Sequence, residues 1–198
     1  IQAAANDRHS DMRDLTNLLW ASIDNDDSRD LDQLTVAELH PDRSVKILVA
    51  IADVDALVEK DSALDAHAKH NTTSVYTAGD MFPMLPEPLS TDLTSLGEGQ
   101  DRLAIIVEMV IAEDGAVLSS TLFRALVHNH AKLAYNGVAA WLAGTAPAPE
   151  RVTDVSGLDA QLRLQDQVAQ RLKARRHQQG ALSLETIEPR AVFEGEVL

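Results

Sequence analysis

Cysteine is absent from this chain, and that absence removes disulfides, thiolate metal ligands and a cysteine nucleophile. A chain without disulfides fits a reducing, cytoplasmic setting. Aromatic residues are scarce at 4%, with two tyrosines, two tryptophans and three phenylalanines. Any stacking surface must therefore rest on very few rings. Basic residues are outnumbered, 17 against 31 acidic ones, for a net charge of −14. That balance argues against a general nucleic-acid-binding face, which needs Lys and Arg to replace counterions. No apolar run approaches the roughly 20 residues needed to span a membrane, so no membrane partner is expected. The N-terminus lacks the basic flank and apolar stretch of a secretory signal. It begins with Ile1 rather than Met, as expected of a cut chain.

The 198 residues suffice for one substantial domain, and an apolar fraction of 45% is that of an ordinary globular protein. Apolar runs predict buried strands over residues 18–23, 31–39 and 45–54. The last is almost wholly apolar and reads as a central strand covered on both faces. Residues 61–70 suit a short helix. Three prolines, Pro83, Pro86 and Pro88, predict an extended and irregular segment over 81–96 with no helix. Asp114-Gly115, between apolar runs over 103–112 and 117–127, signals a hairpin. Residues 131–142 and 158–177 read as helices, separated by the Pro-rich loop 145–149. Strands come first and helices later, which predicts an α+β fold with a mixed or mostly antiparallel sheet and packed helices.

The most informative stretch is Ser22-Ile-Asp24-Asn-Asp26-Asp27-Ser-Arg29-Asp30-Leu-Asp32-Gln33, with five carboxylates in nine residues and a single base. At ~5 Å and an effective dielectric of ~20, each carboxylate pair costs about 3 kcal/mol before screening. A divalent cation reverses that sign. In extended chain Asp30 and Asp32 share a side, and Asp24 approaches from the end of the preceding strand. Hard cations such as Mg²⁺ accept such oxygen ligands and leave positions for water and phosphate. Three other readings stay open: a plain acidic surface loop, a calcium loop, and carboxylates capping turns. The calcium loop fits poorly, with Arg29 where Gly is required and Thr35 where a bidentate Glu belongs.

The wider pattern resembles a known family. The run from Ser22 to Asp32 is similar to the catalytic signature of the RNB-domain exoribonucleases, the ribonuclease II and ribonuclease R family. Val49-Ala-Ile-Ala-Asp53-Val resembles its central-strand motif. Thr73-Ser-Val-Tyr76, Phe82-Pro-Met-Leu-Pro86 and Leu89-Ser-Thr-Asp92-Leu-Thr-Ser-Leu96 follow in the family's order. Ala131-Lys-Leu-Ala-Tyr135 and Gly180-Ala-Leu are also similar. The likeness runs from about Met12 to the C-terminus, leaving 1–11 as a linker from a preceding domain and 12–198 as an N-terminal portion of the catalytic domain.

The resemblance implies Mg²⁺-dependent, processive 3′-to-5′ hydrolysis of single-stranded RNA to nucleoside 5′-monophosphates, with Mn²⁺ as an alternative ion. It assigns Asp30 and Asp32 to catalysis and Asp24, Asp30 and Asp32 to metal, with Gln33 a further candidate ligand. Tyr76 and Tyr135 fall on family positions that stack near RNA bases. Lys173, Arg175, Arg176 and His177 form a basic helix end; Arg175 and Arg176 would either hold phosphates or complement the helix dipole. Two positions depart from the family. Gln33 stands where relatives carry a second aspartate, and Leu184 lies near where they place a clamping aromatic. A later arginine-rich motif and the cold-shock and S1-type RNA-binding modules are not in this sequence. They, with the rest of the catalytic domain, are the expected partners within one longer polypeptide. The competing expectation is a weakened RNB-type protein that binds RNA or a protein partner without hydrolysis.

Overall fold

The computed structural model describes residues 12–77 and 80–182. The expected linker 1–11 and the departure at Leu184 lie outside the described residues. The architecture is α+β: one seven-stranded mixed sheet, a two-stranded ribbon, four α-helices and two short helical turns, Val54–Ala56 and Leu89–Leu93, among the described residues. The strands are β1 (Arg13–Asp14), β2 (Ala21–Asp24), β3 (Gln33–Leu39), β4 (Val45–Ala52), β5 (Val75–Tyr76), β6 (Met81–Phe82), β7 (Asp101–Ile111), β8 (Val117–His128) and β9 (Ala131–Ala134). The helices are α1 (Ala63–Asn71), α2 (Tyr135–Leu142), α3 (Glu150–Asp154) and α4 (Leu158–Gln178).

The large sheet runs β1-β8-β7-β4-β3-β2-β9, with β5 and β6 forming the separate ribbon. Its middle is antiparallel, whereas β2–β9 and β1–β8 pair in parallel. β4 is central, as its apolar sequence requires. Strand alternation sends Leu34, Val36, Leu48, Ala50, Ala104, Ile106, Ala125 and Val127 to one face, where they pack with Trp20 and Leu96. The opposite face meets the helices. There Ala21, Leu133, Val138, Trp141, Leu158 and Leu162 form one cluster, and Ala37, Val45, Ile111 and Val168 another. The cover is incomplete, because Ile51 at the end of β4 is 39% exposed.

The β7–β8 hairpin turns at Asp114-Gly115 as expected. Gly115 adopts φ +81°, and a Cβ there would sit 2.9 Å from the Arg171 carbonyl oxygen. The turn thus seats directly on α4.

Two expectations are corrected. Residues 131–142 are not one helix: Ala131–Ala134 is a strand, and the helix starts at Tyr135. Pairing with β2 in the register Ala21↔Ala131 to Asp24↔Ala134 imposes the extended state. The segment 81–96 is not free of helix either. Leu89–Leu93 forms one wide helical turn with Pro88 at its entry, where the missing N–H costs nothing. Thr94 Oγ1 donates to Leu89 O at 2.7 Å and closes it. That turn delivers Ser95 and Leu96 into the core, 4% and 0% exposed.

Candidate active site

Three strand ends and one loop build the site. Asp24 closes β2, and residues 25–32 form a loop that enters β3 at Gln33. Parallel pairing sets Ala134 beside Asp24, so Tyr135 begins α2 next to the acidic loop. Leu31 is buried at 4%, while its neighbours Asp30 and Asp32 remain accessible. The alternation expected of extended chain is therefore present around the two aspartates.

The loop is tied down by backbone contacts from distant elements. Ser95 Oγ accepts from Leu31 N and donates to Arg29 O, both at 3.0 Å. Leu96 N donates to Leu31 O at 2.7 Å, and Ala52 N donates to Asp32 O at 2.9 Å. From β9, Lys132 Nζ donates to Ser28 O at 2.5 Å and to Asp26 O at 3.4 Å. Asn129, fully buried, links the tethers. Its amide donates to Ser22 Oγ (3.1 Å) and Leu96 O (2.8 Å) and accepts from Ala131 N (3.1 Å).

Asp24 Oδ1 accepts from Asn25 N at 2.7 Å and Ser28 Oγ at 2.9 Å, so Asp24 also shapes its own turn. Partial burial raises the Asp32 pKa above the ordinary carboxylate value, and the charges of Asp24 and Asp30 raise it further. Tyr76 reaches in from the ribbon and donates its hydroxyl to Asp30 Oδ2 at 2.5 Å. That hydrogen bond, partial burial and the nearby carboxylates push its pKa to about 12. Burial and the charges of Asp24 and Asp32 also raise Tyr135, an effect the Gln33 amide beside it partly offsets. Tyr76 and Tyr135 are 64% and 48% exposed, so neither is buried in the core.

The remaining sequence candidates divide between the edge of the site and the far end of the sheet. Gln33 and Tyr135 line a cleft of about 730 Å³ between β2–β4 and helices α2 and α4; the three aspartates do not. Arg175 donates to Asp114 Oδ2 at 3.0 Å at the hairpin turn. That turn lies at the opposite end of the sheet from the acidic loop, about 20 Å away at ~3.3 Å per strand residue. Arg176 is exposed on the same helix end. Asp53 is 5% exposed and pairs with Arg124 Nε at 2.9 Å, which gives this family-like residue an ion-pair partner inside the fold. The calcium-loop reading ends at Thr35, which sits inside β3 opposite Val49. Sequence reasoning missed Lys132 and Asn129 and gave Ser95 no role. The signals present were the family-like blocks that contain Ser95 (Leu89–Leu96) and Lys132 (Ala131–Tyr135); Asn129 lies in neither.

The donors fit a hard cation in kind: carboxylate oxygens whose mutual repulsion is written into the raised pKa values around them. In number they are few. Among the described residues no group of three or more His, Asp or Glu side chains is placed to hold a metal ion. Mg²⁺ does not need one, since it takes one or two carboxylates and completes its shell with water and substrate phosphate.

The family pattern described as "RNB domain" matches residues 12–198. This chain belongs to the RNB family. Ribonuclease R of Vibrio parahaemolyticus serotype O3:K6 is 38% identical over 183 residues, 92% of this chain and 22% of that protein. Exoribonuclease 2 of Cronobacter sakazakii is 35% identical over 198 residues, 97% of this chain and 30% of that protein. The structure of Mycoplasma genitalium RNase R with ribose-methylated single-stranded RNA superposes with a TM-score of 0.84 at 27% identity, covering 100% of this chain and 31% of that one. This RNB chain therefore spans between a fifth and a third of these relatives. No helix among the described residues is long and apolar enough to cross a membrane.

Proposed function

We propose that this chain supplies the acidic side of the active site of an Mg²⁺-dependent exoribonuclease. The enzyme would act processively from the 3′ end of single-stranded RNA and release nucleoside 5′-monophosphates. The observation that carries the reading is the coupled trio Asp24, Asp30 and Asp32 on a tethered loop flanked by two exposed tyrosines. Family membership and the RNA bound to the M. genitalium enzyme support the substrate class.

In this reading Asp24 and Asp32 hold the ion, with Mn²⁺ able to replace Mg²⁺. Asp30, held by Tyr76, orients the site. When bound, the ion supplies water activation and neutralises charge on the scissile phosphate. Tyr76 and Tyr135 present sequence-tolerant faces to bases, each worth ~1–3 kcal/mol. Basic contacts to the RNA backbone come from the rest of the catalytic domain and from cold-shock and S1-type modules of the same cytoplasmic polypeptide. Arg175 and Arg176 serve that role only for RNA running along the far end of α4.

The test uses the full-length protein and a 5′-labelled single-stranded RNA, with and without Mg²⁺. Metal-dependent shortening from the 3′ end is the expected result. RNA binding without shortening would instead establish the weakened RNB-type protein that Gln33, in place of a second aspartate, favours.

A further inference from the structure

We propose that Ser95 is a positioning residue that fixes the backbone of Asp30. The inference rests on the acidic loop being the metal-dependent site proposed above. The geometry is specific. Arg29 C=O belongs to the peptide plane before the Asp30 Cα, and Leu31 N–H to the plane after it. One hydroxyl bonds both, at 3.0 Å each. The two planes that meet at Asp30 are thereby locked together, and with them its φ and ψ.

Ser95 can do this because it is itself immobilised. It is 4% exposed, and Leu96 beside it is fully buried. The Leu96 peptide donates to Leu31 O at 2.7 Å, and its carbonyl accepts from Asn129 at 2.8 Å. The wide turn Leu89–Leu93, closed by Thr94, aims the hydroxyl from the other side. The Asp30 side chain has a separate restraint in Tyr76. Backbone and carboxylate are thus held by different elements, and Ser95 controls the first. Among the side chains tied to this loop, the Ser95 hydroxyl bridges both sides of a candidate catalytic residue.

The experiment compares full-length wild type, Ser95→Ala and Ser95→Thr. Alanine removes the bridge, while threonine retains the hydroxyl. Ser95→Ala should lower kcat on single-stranded RNA by about ten- to hundred-fold, the scale of a small misplacement of a catalytic group. KM for RNA should stay within about two-fold, because the ring contacts of Tyr76 and Tyr135 are untouched. Without metal or RNA, amide exchange of residues 29–32 should quicken at least about ten-fold while that of the β7–β8 hairpin is unchanged. Ser95→Thr should restore both. Wild-type kcat in Ser95→Ala would overturn the proposal, as would deprotection spread across β7–β8 or failure of threonine to rescue. If wild type itself does not shorten RNA, the functional reading fails on its own, and the exchange arm still decides. Local, threonine-reversible deprotection upholds the positioning role, and its absence overturns it.

Discussion

Asp32 carries a penalty in the folded state that its amide isostere would not. Burial, Asp24 and Asp30 all disfavour its charged form. The folded chain therefore binds more protons than the unfolded one between the unfolded pKa and the raised folded value. Stability falls as pH rises through that window. Asp32→Asn should accordingly raise Tm at pH 7 in the absence of divalent ions. The gain should shrink as pH falls through the raised folded pKa of Asp32, where its carboxyl takes up a proton. The same substitution should abolish RNA shortening in the full-length protein and leave RNA affinity within about two-fold. Retained cleavage would remove Asp32 from the proposed ion site. Tyr76 offers a second check. Its pKa of about 12 depends first on donation to Asp30. The contact contributes below the unfolded tyrosine pKa and is lost as pH rises through the folded one. Asp30→Asn should lower the Tyr76 transition toward 10, read as tyrosinate absorbance against a Tyr76→Phe control.

At the scale of elements, the acidic loop behaves as an insert held between β4, β9 and the turn ending at Ser95. Asn129 ties two of these together and is fully buried with three side-chain hydrogen bonds. Asn129→Ala should cost about 2–3 kcal/mol in denaturant unfolding, since it strands buried partners, with the m value unchanged. The sequence pattern made the β7–β8 hairpin and α4 readable because both depend on local signals: an Asp-Gly turn and a helical stripe. Ala131–Ala134 was not readable. Its composition suits a helix, and only pairing with β2, some hundred residues earlier, makes it a strand. The helical turn after Pro88 was hidden for the opposite reason, because three prolines outweighed the one position where proline starts a helix. The carboxylates themselves stood out by charge alone. Ser95 did not, because its partners lie 64 and 66 residues away and a lone serine has no pattern.

The whole molecule combines a net charge of −14 with membership of a family that includes RNA-bound structures. Repulsion between this surface and phosphate sets a measurable dependence. The 198-residue chain should bind single-stranded RNA weakly in chelator, and added Mg²⁺ should strengthen binding, as read by fluorescence anisotropy. The full-length protein should bind tightly without added ion if its basic surfaces lie outside this part. Affinity unaffected by Mg²⁺ in the short chain would argue against an ion bridging the loop to phosphate.

The tethers of the acidic loop also bear on the order of events during synthesis. All five carboxylates are present once residue 32 has been made, yet the groups that fix them arrive with Ser95, Asn129 and Lys132. A nascent chain that ends between residue 32 and residue 94 of this sequence holds every acidic residue of the loop and lacks Ser95, Asn129, Lys132 and the strands β7–β9. Closing such long-range contacts is slow compared with local turns and helices. The tethers of the site are thus completed late in synthesis, and an unfinished chain beside its own messenger RNA carries the acidic residues without them.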